Sequence, residues 1–118
     1  MTKILLVEDN EMNRDMLSRR LTRKGYTVVI ATDGTAGVAM AATEQPDLIL
    51  MDMQMPVLDG VESAKKIREA EAENQEDNPV FIVAVTANAY SEDKKKCFDA
   101  GMNDFISKPF KIAELEKI

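Results

Sequence analysis

Three apolar runs, each stopped by a polar side chain, set the rhythm of the chain. Ile4, Leu5, Leu6 and Val7 run into Glu8 and Asp9; Leu48, Ile49, Leu50 and Met51 run into Asp52; residues 80–85, the most apolar stretch, run into Thr86. Continuous runs of this length suit strands buried on both faces, as in a parallel sheet covered by helices. Residues 26–31 make a β-branched run and residues 104–107 a shorter one, which brings the expected strands to five. Helical patterns fill the intervals. Asn10 can cap a helix that carries Met12, Met16, Leu17 and Leu21 and stops at Gly25. Asp33-Gly34 turns the chain into an alanine-rich helix through Ala42. A third helix, from Val61 to Ala70, carries Ala64 and Ile67 inward, and a polar, acidic loop over residues 71–78 closes at Pro79. Ser91, Glu92 and Asp93 open a fourth helix, with acids where the helix dipole favours them, and Gly101 ends it. Ile112, Leu115 and Ile118 fall on one face of a fifth. Strands alternating with helices in this way predict a three-layer α/β fold around a parallel sheet.

Composition narrows the partners. With 118 residues the chain, 1–118, is expected to be one domain with one core. A formal net charge of -6 argues against a nucleic-acid partner, because phosphate backbones need a basic surface. The same charge suits a metal cation or a basic protein face. One cysteine, Cys97, excludes an internal disulfide and fits a reducing, cytoplasmic setting. No apolar run approaches a membrane span, and no signal peptide is visible, so no membrane partner is expected. The eight methionines read as core filler.

The candidate chemistry sits at the strand ends. Glu8 and Asp9 follow the first strand, Asp52 the third, Thr86 the fourth and Lys108 the fifth. Taken singly, each has an ordinary reading: a solvated strand end, a turn cap, a surface lysine. In a parallel sheet, however, all carboxyl ends share one edge, where open α/β sheets bind ligands. Clustered carboxylates repel one another unless a cation binds, and hard oxygen ligands favour Mg²⁺. An ammonium and a hydroxyl beside them suit an anion that also touches the metal, and a phosphoryl group meets that description.

These residues resemble those of the receiver domains of two-component response regulators. The resemblance runs over residues 3–118 and rests on LLVEDN (5–10), LILMDMQMP (48–56), AVTA (84–87) and SKP (107–109), in this order and at this spacing. It implies a flavodoxin-like, doubly wound five-stranded sheet of order 2-1-3-4-5 with five helices. It also implies roles. Asp52 would be the phosphoacceptor, attacking the phosphorus of a partner's phosphohistidine. Asp9 would ligate Mg²⁺ directly, Glu8 through water, and Gln54 through its backbone carbonyl, with Asp52 completing the set. Lys108 would pair with a phosphoryl oxygen, next to a cis bond to Pro109. Thr86 would donate its hydroxyl, assisted by the Ala87 N–H, and would switch together with Phe105, which stands where tyrosine is common in the family. The phosphodonor, a histidine kinase or histidine phosphotransferase, would dock on Asn10, Asn13 and Met16 along the first helix and on Pro109 and Phe110 across the site. Such a domain is not a turnover enzyme, although it catalyses its own aspartyl phosphorylation and autodephosphorylation, and it signals to a downstream protein target.

The chain has no histidine, so it cannot itself be the histidine kinase or phosphotransferase. The Asn10-Glu11-x-Asn13 run resembles phosphorelay and hybrid-kinase receivers, whereas Met1 immediately before the first strand favours a stand-alone product. Two other readings stay open. A Mg²⁺-dependent phosphatase of the haloacid dehalogenase type also uses an aspartate at a strand end, but it places a second acid two residues later, where this chain has Gln54. A receiver-like binding module would carry the fold and never take phosphate.

Overall fold

In the computed structural model, residues 2–53, 59–73, 79–86 and 91–107 are described, with residues 91–94 and 107 described for their backbone only. The strands are β1 (Lys3–Val7), β2 (Thr27–Ala31), β3 (Leu48–Asp52), β4 (Phe81–Thr86) and β5 (Asp104–Ser107). Four helices alternate with them among the described residues: α1 (Glu11–Arg23), α2 (Gly34–Glu44), α3 (Gly60–Glu73) and α4 (Ser91–Asp99). The expected fifth helix, with Ile112, Leu115 and Ile118, lies outside the described residues. All strand pairs are parallel, and the order is β2-β1-β3-β4-β5, as the resemblance implies.

Strand alternation divides the core in two. Leu5, Val7, Ile49, Met51, Ile82 and Ala84 point to one face of the sheet, where they pack with Ala64 and Ile67 of α3 and Cys97 of α4. Ile4, Leu6, Leu50, Val83 and Val85 point to the other face and pack with Leu17 and Leu21 of α1. Burial on both sides is why β1, β3 and β4 read as unbroken apolar runs.

Local chemistry ends the helices. Asn10 caps α1 by accepting from the Asn13 N–H, and Asp33 caps α2 by accepting from the Ala36 N–H. Asp59 caps α3 by accepting from the Glu62 N–H at 2.9 Å. After α1 the Gly25 N–H donates to the Thr22 carbonyl and the Tyr26 N–H to that of Leu21; after α4 Gly101 donates to Phe98 and Met102 to Cys97. Both are Schellman closures, and Gly25 and Gly101 hold the positive φ that they require.

Two features depart from the expected pattern. Met12 and Met16 are 81% and 44% exposed, so α1 buries the line of Leu17 and Leu21 and leaves both methionines at the surface. Among the described methionines only Met51 and Met102 are fully buried. The sequence places a loop from residue 71, but α3 continues through Glu73. Glu71 is held from both sides there. Its Oε1 pairs with Arg68 at 2.7 Å, and its Oε2 accepts from the Val80 N–H at 2.7 Å.

Candidate functional site at the carboxyl edge of the sheet

The order β2-β1-β3 places the reversal of winding between β1 and β3, where a doubly wound sheet opens a crevice at its carboxyl edge. Register decides which side chains meet there. Val7 pairs with Met51, so Glu8 and Asp52 emerge side by side from neighbouring strands. Asp52 pairs with Val85, so Thr86 comes one residue further along the next strand. One carboxylate oxygen from each of Glu8, Asp9 and Asp52 lies within 4.8 Å of the other two.

Burial within the cluster is uneven. Glu8 is 2% exposed, Asp52 5% and Thr86 6%, whereas Asp9 is open to solvent. Burying a carboxylate is costly unless hydrogen bonds compensate. The Glu8 carboxylate accepts from the Asn10 N–H at 3.3 Å and from the Asn13 Nδ2 at 3.5 Å. Arg14 reaches back from α1 and donates from one guanidinium nitrogen to the carbonyls of Glu8, at 3.1 Å, and Asp9, at 2.8 Å. The Met53 N–H donates to the Val85 carbonyl at 3.1 Å, which secures the end of β3 against β4 beyond Asp52. The start of α3 is pressed against this point. A Cβ built on Gly60 would stand 2.5 Å from the Asp52 carbonyl oxygen.

Hard oxygen donors, collected at one edge and bearing like charge, are the donor set that Mg²⁺ prefers. The residues present therefore fit the ion: one exposed and two buried carboxylates converge, as divalent-cation ligation needs.

The sequence-predicted residues divide as follows. Glu8, Asp9, Asp52 and Thr86 come together at one edge. Phe105 stands on β5 beside Ala84, half-buried against the core, with its ring edge-to-face with that of Phe98 at 6.4 Å between centroids. Asn10, Asn13 and Met16 follow on α1, but Asn10 and Asn13 are also engaged within the chain, as cap and as donor to Glu8. Gln54, Ala87, Lys108, Pro109 and Phe110 lie outside the described residues, as does the isomer of the bond between Lys108 and Pro109. Arg14 and Gly60 were not legible as site residues. The only sequence signal for Arg14 is its place on the first turns of α1, five residues after Asp9.

Comparison with known proteins agrees with this geometry. Residues 4–118 match the model of the response regulator receiver domain, and the chain belongs to that family. It is 44% identical over 120 residues to hybrid signal transduction histidine kinase B of Dictyostelium discoideum, and 43% identical over 119 residues to hybrid signal transduction histidine kinase L of the same organism. These alignments cover 96% and 98% of this chain but only 6% and 7% of those kinases. Among solved structures, it is similar to the co-crystal structure of the Saccharomyces cerevisiae histidine phosphotransfer signaling protein Ypd1 with the receiver domain of its downstream response regulator Ssk1. That match has a TM-score of 0.92 at 36% identity and covers 98% of this chain and 84% of that one. The receiver domain of sensor histidine kinase PA1611 from Pseudomonas aeruginosa, which has a magnesium ion coordinated in its active-site cleft, matches with a TM-score of 0.85 at 43% identity. It covers 98% of this chain and 92% of that one. Receiver domains of this family serve two-component phosphorelays and are not conventional turnover enzymes. No described helix is long and apolar enough to cross a membrane.

Proposed function

We infer that residues 1–118 form one phosphoacceptor domain that takes a phosphoryl group from a partner phosphohistidine onto Asp52. The observation that carries this reading is the convergence of the Glu8, Asp9 and Asp52 oxygens within 4.8 Å, beside Thr86, at the switch point of the sheet.

Asp52 ends β3, and its carboxylate is the nucleophile. One of its oxygens attacks the donor phosphorus in line, the phosphorus–nitrogen bond breaks, and its electron pair returns to the imidazole. Glu8, Asp9 and Asp52 would hold Mg²⁺, with the Gln54 carbonyl as a further ligand. Bound there, Mg²⁺ would offset the negative charge that the carboxylates and an incoming phosphoryl group bring together. Thr86 donates its hydroxyl to a phosphoryl oxygen, and Lys108 pairs with another. The Ala87 N–H gives a third donor. Attack of water on the phosphorus of the aspartyl phosphate breaks its bond to the Asp52 oxygen, releases inorganic phosphate and returns the free carboxylate, which is autodephosphorylation.

The switch follows from the new contact. Drawing Thr86 toward the phosphoryl group leaves space behind it that the half-buried Phe105 ring fills, which passes the change to β5 and α4. The donor is a histidine kinase or a histidine phosphotransferase. It docks along Asn10, Asn13 and Met16 and on Pro109 and Phe110, and the output is a downstream protein. A kinase or phosphotransfer partner is supported by the hybrid-kinase relatives and by the Ssk1 receiver crystallised with Ypd1. The single cysteine, Cys97, is buried, and a chain that forms no internal disulfide suits the cytoplasm.

Acetyl phosphate with Mg²⁺ tests the reading. Intact-mass spectrometry should show one acid-labile phosphoryl group on the wild type and none on Asp52→Asn. Continuous release of phosphate without a stable adduct would instead indicate a phosphatase, and no labelling would indicate a binding module.

A further inference from the structure

We propose that Arg14 is a positioning residue of the metal site: it holds the backbone that aims Glu8 and Asp9 at the cation. The proposal rests on the functional reading above and extends it to a residue outside the ligand set.

The turn between β1 and α1 is short. Val7 is the last residue of β1, Glu11 is the first of α1, and both acids lie between them. Two consecutive ligands on so short a turn depend on the orientation of their own peptide planes. A rotation about either backbone bond would swing a carboxylate out of the cluster. Arg14 counters that rotation directly. Its Nη1 lies 2.8 Å from the Asp9 carbonyl oxygen and 3.1 Å from that of Glu8, so one charged donor ties both planes. The neighbouring donors act on the carboxylate itself, since the Asn10 N–H and the Asn13 amide both reach Glu8 Oε1. Backbone and side chain are thus held from one helix end. Arg14 is half-buried, and its contacts to the acid pair are with the carbonyls. Its charge therefore acts on the main chain that carries the ligands.

A positive charge near a cation site also repels the cation, and the two effects have opposite signs. Removing Arg14 weakens Mg²⁺ binding if positioning dominates and tightens it if repulsion dominates. Salt weakens the repulsion from a half-buried charge only in part, but a displaced ligand is lost to the ion altogether. Loss of an outer partner of a metal ligand commonly weakens affinity by about 10–100-fold. Positioning therefore prevails.

The test is Mg²⁺ titration of the intact chain followed by amide NMR, at moderate salt and well below the unfolding temperature. Arg14→Met should weaken binding by about tenfold. Arg14→Lys, whose ammonium can still donate to two carbonyls, should recover most of the loss. Arg19→Met is the control, because it removes the same charge from the same helix, where Arg19 pairs with Asp15 at 3.1 Å. It should leave the affinity unchanged or slightly tighter. Far-UV circular dichroism establishes folding; if Arg14→Met does not fold, Arg14→Ala takes its place with the same expectation. Affinity that is equal or tighter in the Arg14→Met or Arg14→Ala protein overturns the proposal while leaving the metal site intact. Slower transfer from a protein donor with unchanged Mg²⁺ affinity also overturns it, by making Arg14 a docking residue. A wild type that binds no Mg²⁺ overturns the reading of the site itself.

Discussion

Gly60 shows how one missing methyl group sets the place of Asp52. A Cβ at this position would meet the Asp52 carbonyl oxygen at 2.5 Å and the Met53 Cα at 2.9 Å, both of them backbone atoms. Backbone at the end of a central strand cannot move without disturbing its neighbours. In Gly60→Ala, either the start of α3 lifts away or the main chain of Asp52 shifts. Overpacking of this kind costs about 1–3 kcal/mol. Gly60→Ala should lower urea stability by that amount and slow acetyl phosphate labelling as well. Gly25→Ala separates the two effects. Nothing lies within 4 Å of its Cβ, but φ is +99°. The strain alone should cost about 1–2 kcal/mol, with the labelling rate unchanged.

At the scale of elements, the opposite edge of the sheet is tied by Arg68. Its Nε donates to the Gly101 carbonyl at 2.8 Å, its Nη1 to Glu71 at 2.7 Å and its Nη2 to the Asn103 Oδ1 at 2.8 Å. Glu71 in turn accepts from the Val80 N–H, and Asn103 from the Ile82 N–H. One guanidinium thus joins α3, the entry to β4 and the turn between α4 and β5. Charged-donor bonds of this kind contribute about 1.5–3 kcal/mol each, with strong non-additivity within one network. Arg68→Ala should destabilise by about 2–3 kcal/mol in urea unfolding. Arg68→Lys should recover little, because an ammonium cannot reproduce a planar fork spread over three acceptors. Acetyl phosphate labelling below the unfolding transition should be unchanged in both, since the network lies far from the carboxyl edge. A fall in labelling would mean that the two edges are coupled.

For the whole molecule, the acidic cluster links metal binding to folding. Three carboxylates within 4.8 Å repel one another in the folded chain and separate in the unfolded one. Mg²⁺ that binds only the folded arrangement stabilises it by mass action, by about 1.4 kcal/mol at ten times its Kd. Millimolar Mg²⁺ should raise the melting temperature above that in NaCl of equal ionic strength, which controls for screening. Asp9→Ala should blunt the rise. An equal rise in Asp9→Ala would place the ion elsewhere.

The fold and most of the acidic site were legible in the sequence for a definite reason. Strands buried on both faces must be continuous and apolar, so β1, β3 and β4 stood out, and the acids that end them had to share an edge. The side chains at each strand end were therefore determined before any coordinates: Glu8, Asp9, Asp52 and Thr86. The tertiary structure decided what depends on contact across the chain. Helical periodicity marked Met12 and Met16 as apolar positions, but only packing showed that the buried line of α1 runs through Leu17 and Leu21. Glu71, on the extended end of α3, accepts from the Val80 N–H, a partner nine residues away. Arg68 meets acceptors 33 and 35 residues distant, and the close approach of Gly60 to Asp52 joins the start of α3 to the end of β3. Arg14 is close in sequence to the acids it holds, yet an arginine on the first turns of a helix carries no periodic signal. Patterns of polarity record which faces are buried, whereas directed hydrogen bonds and close backbone approaches exist only once the chain has folded.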